Sequence, residues 1–134
     1  MSTLFSNKKI IFLFLLMALS FYKSPYIFVN GRFIAEEGSY FFRNTYLFGY
    51  IEGLTFLLKG SGYFNLWANL ASIFANLVPI ELAPLITVYF AFSVKILLLL
   101  YILFQKSSFL ENNNQRYIAS LLVIVAPTMV SEIW

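Results

Sequence analysis

The stretch "PLITVYFAFSVKILLLLYILF", residues 84–104, decides the class of this protein. Fourteen of its residues are Leu, Ile, Val or Phe, and about 20 apolar residues cross the hydrocarbon core of a bilayer. At roughly 0.3–0.6 kcal/mol each, they outweigh the cost of roughly 3 kcal/mol for Lys95 near the centre. Pro84 suits the first turn of a helix, where no N–H donor is needed. The stretch therefore predicts a membrane-spanning helix.

The composition agrees with a membrane protein and excludes several kinds of chemistry. The chain is 60% hydrophobic and 11% charged, whereas about 25% of residues are charged in soluble domains. It has no cysteine and no histidine, which excludes thiol and imidazole catalysis, disulfides and the usual zinc ligand sets. A metal would need oxygen ligands, as Mg²⁺, Mn²⁺ and Ca²⁺ do. The nine basic residues are scattered, so we expect no nucleic-acid partner.

A first span is predicted at residues 10–29, after Lys8 and Lys9. It reaches the length of a span only if Pro25 is included. The alternative is a cleaved signal peptide, with "ALS" at residues 18–20 as its small-residue cleavage site. Either way, the segment directs this part of the chain to a membrane.

A third apolar stretch covers residues 117–130, after a polar cytoplasmic turn at 105–116 that contains an Asn-rich run. It is short for a span, and Pro127 interrupts it. The sequence ends four residues later, at Trp134. We therefore expect the amino-terminal part of a longer, multi-pass helical protein.

Lysines and arginines near the span ends predict the orientation. Four of them lie close to the ends of spans on one side of the membrane, and the four on the other side are mostly spread through a long loop. The first group is expected in the cytoplasm with the amino terminus, which places residues 31–83 outside. The two groups are Lys8, Lys9, Lys106 and Arg116, against Lys23, Arg32, Arg43 and Lys59.

The outer loop, residues 31–83, is expected to lie on the membrane surface. It has eleven aromatic residues between Phe33 and Trp67, and tyrosine and tryptophan favour the headgroup region. An amphipathic interfacial helix is predicted at residues 65–78, because polar residues recur there along one helical face. These polar residues are Asn65, Asn69, Ser72 and Asn76.

The loop begins with two adjacent acids, Glu36 and Glu37, before Gly38. One interpretation is structural: acids favour the positive end of a helix dipole at its start. The other is a carboxylate site, in which a nearby low-dielectric surface raises the pKa and suits one acid as a general base. The pair could also hold Mg²⁺ or Mn²⁺ against a lipid phosphate. Arg32 and Arg43 are close enough in sequence to neutralise the acids or to bind a phosphate.

The order of span, acidic pair, interfacial helix and second span resembles the amino-terminal part of bacterial GT-C-type glycosyltransferases. Those of the closest group begin this loop with a pattern like R-F-x-A-E-D-G-x-x-F-F, followed by Gly-Tyr and P-x-x-x-A-P. The matching residues here are Arg32, Phe33, Ala35, Glu36, Glu37, Gly38, Phe41, Phe42, Gly62, Tyr63, Pro79, Ala83 and Pro84. Glu37 departs from the usual Asp, and Asn65 and Asn69 stand where such proteins often carry His and Arg.

The resemblance implies a multi-pass enzyme of the bacterial inner membrane. It would move a sugar from a polyprenyl-phosphate carrier to a glycan, lipid or protein acceptor of the cell envelope, with inversion. Glu36 or Glu37 would be the base that deprotonates the acceptor hydroxyl. The substrate-binding candidates are Arg32, Arg43, Tyr63, Asn65, Asn69 and Lys95.

Alternatives remain for the whole chain and for two of these residues. The protein could be a non-catalytic membrane subunit or a partner in carrier-lipid transport, or a secreted protein with a cleaved signal. Tyr63 could be an interface anchor. Lys95 could face the protein interior, bind a lipid phosphate, or extend its side chain towards the cytoplasmic headgroups.

Overall fold

The computed structural model describes residues 7–33, 37–58, 62–105 and 108–126. These ranges contain α-helices, one π-helical turn and an isolated antiparallel bridge between Leu58 and Tyr63, but no β-strand. The all-α fold class is thereby confirmed for the described residues. The helices are α1 (Asn7–Lys23), α2 (Pro25–Asn30), the π-helical turn Glu37–Phe42, α3 (Arg43–Phe48), α4 (Tyr50–Leu54), α5 (Leu66–Ala75), α6 (Ala83–Phe104) and α7 (Asn113–Val125).

The segment predicted as one span, residues 10–29, consists of two helices. α1 ends at Lys23, and α2 begins at Pro25. The cause is local, because proline disfavours helical backbone in the residue before it and has no N–H to continue the ladder. Pro25 instead takes the first position of α2, where the missing donor costs nothing. The segment therefore forms two helices in place of one continuous helix of span length.

One helix among the described residues, α6, is long and apolar enough to cross a membrane. Its bounds, Ala83–Phe104, include the whole stretch predicted from the sequence. α7 begins at Asn113, inside the range predicted as the turn 105–116. Asn112 explains the earlier start, because its side chain accepts from the Gln115 N–H while the Gln115 side chain accepts from the Asn112 N–H. This capping box makes the Asn-rich run a helix start.

Contacts divide the chain into two compact units. The first contains the described residues up to Pro25 and those from Ser93 onward. In it, α1, the second half of α6 and α7 share one apolar core. The core residues are Leu13, Leu16, Leu99, Leu103 and Ile124.

Cationic side chains cap two helix ends in the first unit. Lys9 Nζ donates to the Leu103 carbonyl at 2.8 Å. Arg116 Nη1 donates to the Ile102 carbonyl at 3.0 Å and also to the Gln105 carbonyl. Lys23 Nζ donates to the Ile124 carbonyl, near the end of α7, at 2.8 Å. The last carbonyls of a helix have no partner within it and carry partial negative charge, so cations bind there.

Lys9 and Arg116 therefore meet at the carboxyl end of α6, as their predicted placement on one side of a membrane requires. Burial lowers the pKa of Lys9 from its usual value, and the charge of Arg116 lowers it further. Their cytoplasmic location stays a prediction.

The second unit is Tyr26–Phe92. Its short helices α3 and α4 contact each other, and both contact α5, as does the π-helical turn. A small core forms around Phe42, Ala75 and Ala83. The alanines leave room for the phenyl ring, which is how α5 and the start of α6 come close together around it.

The orientation of α5 differs from that expected of an interfacial helix with its polar face towards water. Asn69 and Ser72, in the middle of the predicted polar stripe, are 0% and 2% exposed. On the same helix, Trp67 and Phe74 are 48% exposed. The polar stripe thus faces the interior of the unit, where α4 and the turn after it supply hydrogen-bond acceptors.

Candidate functional site

The acidic pair lies between two fixed segments of the second unit. Glu36 is outside the described residues, and Glu37 is the first residue of the π-helical turn, partly exposed. Before the pair, the Phe33 ring contacts the Phe42 ring with 5.0 Å between centroids. Gly38 lies so close to Phe33 that an added Cβ would be 3.0 Å from its side chain. The turn that carries Glu37 is therefore packed against the segment preceding it.

The segment before the acids is anchored beside the first turns of α6. The Tyr89 hydroxyl donates to the Phe28 carbonyl at 3.0 Å. Gly31, with φ of 69°, approaches α6 so closely that a Cβ would lie 2.7 Å from the Leu85 nitrogen. Only glycine combines this left-handed backbone with such an approach at low cost. The chain thus enters the acidic segment at the amino-terminal end of α6.

The segment after the acids is held by Phe42, which is 7% exposed and packs against Ala75 and Ala83. Because Ala83 begins α6, both flanks of the acidic segment contact the start of this helix. The described flanks of the acidic segment are thus held beside the amino-terminal end of α6.

The two arginines predicted to bind phosphate are exposed. Arg32 is separated from the end of α2 by Gly31, and Arg43 is the first residue of α3. Arg43 lines a shallow groove together with polar and apolar side chains from the same helical segment and from beyond α4. The other lining residues are Ser39, Tyr40, Asn44, Leu47, Phe48 and Phe56.

The residues that follow Gly62 have structural partners. The Asn65 side chain accepts from the N–H groups of Trp67 and Ala68, both at 3.1 Å, and so caps α5. Its amide nitrogen donates to the Tyr63 hydroxyl at 2.8 Å. Asn69 Nδ2 donates to the carbonyls of Leu54 and Phe56. Tyr63 remains exposed, whereas Asn69 is fully buried and holds protein backbone.

Lys95 belongs to the first unit, halfway along α6, and is partly buried. Lys23, the last residue of α1, belongs to the same unit. A role in binding a lipid phosphate stays a prediction.

The described residues contain no cluster of three or more acids, histidines or cysteines. Glu37 is the described member of the predicted metal pair, and Glu36 lies outside the described residues. A carboxylate pair supplies hard oxygen ligands of the kind that Mg²⁺ and Mn²⁺ prefer. A metal would therefore depend on further oxygen ligands, such as the phosphate of a bound substrate.

The groove was not predicted from the sequence, although a signal for it exists. Six of its residues, Ser39, Tyr40, Arg43, Asn44, Leu47 and Phe48, follow one another at helical spacing. Gly38 and Gly49 flank these residues and obscure the periodicity, because glycines usually indicate turns and loops.

Comparison with protein families, curated proteins and solved structures finds no match to this chain.

Proposed function

We propose that this chain is a multi-pass protein of the bacterial inner membrane. In this proposal α6 is a transmembrane helix, and the amino terminus of the chain lies in the cytoplasm. The distribution of polarity supports this. Large apolar side chains such as Phe14, Phe48 and Leu122 are more than 60% exposed, whereas Asn69 and Arg116 are at most 7% exposed. In lipid, apolar side chains face outward at no cost and polar groups need partners within the protein.

We further propose that the protein acts in glycosyl transfer from a polyprenyl-phosphate sugar to a glycan, lipid or protein acceptor of the cell envelope. The observation that carries this proposal is the packing of both described flanks of the acidic segment against the first turns of α6. A polyprenyl carrier holds its phosphate at headgroup level, so a carboxylate at the end of a span would meet the sugar there.

The proposed reaction is a direct displacement. Glu36 or Glu37 takes the proton of the acceptor hydroxyl, and the acceptor oxygen bonds to the anomeric carbon. The bond from that carbon to the phosphate oxygen breaks, its electron pair stays on the phosphate, and the configuration inverts. Arg32, Arg43 or a Mg²⁺ or Mn²⁺ ion bound by the acids would offset the charge of the phosphate.

The test is transfer of radiolabelled sugar from polyprenyl phosphate by the protein encoded by the full reading frame, in proteoliposomes. Replacement of a general base costs about 10²–10⁴-fold in rate. We expect such a loss for Glu36→Gln or Glu37→Gln and an unchanged rate for Glu52→Gln, an exposed acid of the same unit. Full activity in both acidic variants would exclude the base assignment. Chelation followed by Mn²⁺ addition tests the metal.

A second candidate function, a non-catalytic membrane subunit or a partner in carrier-lipid transport, is favoured by the position of Glu37. It lies in the first turn of a helical segment, where a carboxylate stabilises the exposed N–H groups. In that case Glu37→Gln lowers the free energy of unfolding, and membranes that contain this variant transfer sugar at an unchanged rate.

A further inference from the structure

The groove beside α3 combines hydrogen-bond donors with apolar side chains. Ser39, Tyr40, Arg43 and Asn44 supply hydroxyl, guanidinium and amide donors. Leu47, Phe48 and Phe56 supply the apolar part of its lining. A ligand that fits must therefore have an acceptor group joined to an apolar part.

The charge of the groove selects an anion. Among the described residues that line it, Arg43 is the only charged one, and none is an acid. A guanidinium binds phosphate oxygens through two parallel N–H donors, and the neighbouring hydroxyls can donate to the remaining oxygens. A phosphate is therefore the acceptor group that these side chains match.

The exposure of the apolar lining residues selects a lipid over a free phosphate. Leu47 is 55% exposed and Phe48 64%. Inorganic phosphate has no apolar part to cover these side chains, whereas an acyl chain would remove apolar surface from water at a gain of roughly 25 cal/mol per Å². The groove volume, about 170 Å³, is below that of drug-sized pockets, roughly 300–1,000 Å³, and suits a small headgroup.

The walls of the groove are held in place without a ligand. Asn44 Nδ2 donates to the Glu52 carbonyl at 3.3 Å. The rings of Phe41 and Phe56 meet edge to face with 5.5 Å between centroids. Such a site loses little side-chain freedom when it is occupied.

We propose that this groove binds the phosphate of an anionic phospholipid from the surrounding bilayer, with Arg43 on the phosphate and Leu47 and Phe48 against the acyl chain. The site goes beyond the proposed sugar transfer and does not depend on it. In this proposal Arg43 binds a structural lipid. Arg32 is then the arginine that would bind the carrier phosphate.

The experiment is native mass spectrometry of the full protein in detergent with dioleoyl phosphatidylglycerol, dioleoyl phosphatidylcholine, undecaprenyl phosphate or inorganic phosphate. We expect a retained phosphatidylglycerol adduct and a weaker phosphatidylcholine adduct. Arg43→Gln should weaken phosphatidylglycerol binding about ten-fold, the order expected for losing a charge-assisted hydrogen-bond pair. Arg32→Gln, an exposed arginine outside the groove, should leave it unchanged.

A second pair of variants tests the apolar side chains of the groove. Leu47→Asp places a carboxylate in the groove and should abolish the adduct, whereas Tyr46→Asp, exposed but outside the groove, should retain it. Circular dichroism of each variant verifies the helix content.

Three results would overturn the proposal. The first is equal phosphatidylglycerol binding by the Arg43→Gln and Arg32→Gln variants. The second is displacement of the lipid by inorganic phosphate, which would indicate a simple anion site. The third is binding of undecaprenyl phosphate in place of phosphatidylglycerol, which would assign the groove to the carrier lipid.

Discussion

The two units use different side chains to join distant segments. In the first unit, the cations Lys9, Lys23 and Arg116 donate to carbonyls at the ends of α6 and α7. In the second, neutral groups do so, as Asn69 donates to the backbone after α4 and Tyr89 donates to α2. Charged donors form stronger hydrogen bonds, but they are costly to bury without a partner.

The difference teaches where each kind of donor is tolerated. The partial negative charge at a helix end offsets part of the cost of burying a cation. Leu54 ends α4, a helix of five residues, and Phe56 lies beyond it. So short a helix has a small dipole, and a neutral amide satisfies both carbonyls without a charge. Loss of a donor should therefore cost more in the first unit.

The largest expected effect is that of Arg116→Gln. It removes donors from the Ile102 and Gln105 carbonyls and should lower the free energy of unfolding by about 3 kcal/mol, since a charged donor and two carbonyls lose their bonds. Chemical unfolding in detergent, followed by circular dichroism, measures this.

Lys8→Gln is the control, because Lys8 is exposed on α1. It should change stability by less than about 0.5 kcal/mol. Equal losses in the two variants would mean that the caps on α6 contribute no more than surface charge.

A smaller effect is expected for Asn69→Leu, which keeps the branching of the side chain but removes both bonds to the backbone at the end of α4 and just beyond it. The loss should be about 2 kcal/mol, roughly 1 kcal/mol for each neutral hydrogen bond. Hydrogen–deuterium exchange of residues 54–58 should become faster.

Ser72→Ala controls for this change, because its hydroxyl donates to the Ala68 carbonyl of the same helix. Exchange in residues 54–58 should then match the wild type. If both variants speed up exchange equally, Asn69 acts through packing of α5 and not through its bonds to the turn.

The smallest effects are expected at the two asparagine caps, one in each unit. Asn112→Ala and Asn65→Ala each remove side-chain acceptors from a helix start, which costs about 1 kcal/mol. Thermal unfolding of both variants in one detergent compares them. Asn→Asp at either position keeps an acceptor and should retain stability. Similar losses would show that neutral caps act alike in both units.

Local signals in the sequence accounted for the helices that depend on short-range rules. The length and apolar content of residues 84–104 predicted α6, and the periodicity of 65–78 predicted α5. The break before Pro25 and the capping box at Asn112 follow from rules of equal simplicity, although a single span and a turn were predicted there. In both cases the prediction followed the length of the apolar stretch instead of the local signal at Pro25 or Asn112.

The candidate site could be predicted less fully. The sequence placed two acids before a glycine, and the packing of Phe33 against Phe42 around them required the fold. The roles of Asn65 and Asn69 as a helix cap and a buried tie required the fold. Their functions depend on Trp67, Leu54 and Phe56, and no pattern in the sequence relates Asn69 to a turn more than ten residues away.

By itself, the sequence determined which residues form α6, which positions of α5 make its polar stripe, and that the chain carries too few charges for an aqueous surface. These properties depend on neighbours within one helical turn or on composition. Only the tertiary structure decided that the polar stripe of α5 faces inward and that Lys9 and Arg116 bind the end of α6. The reason is physical: periodicity defines the faces of a helix, but only the carbonyls and side chains opposite a face decide whether it turns towards the protein or away from it.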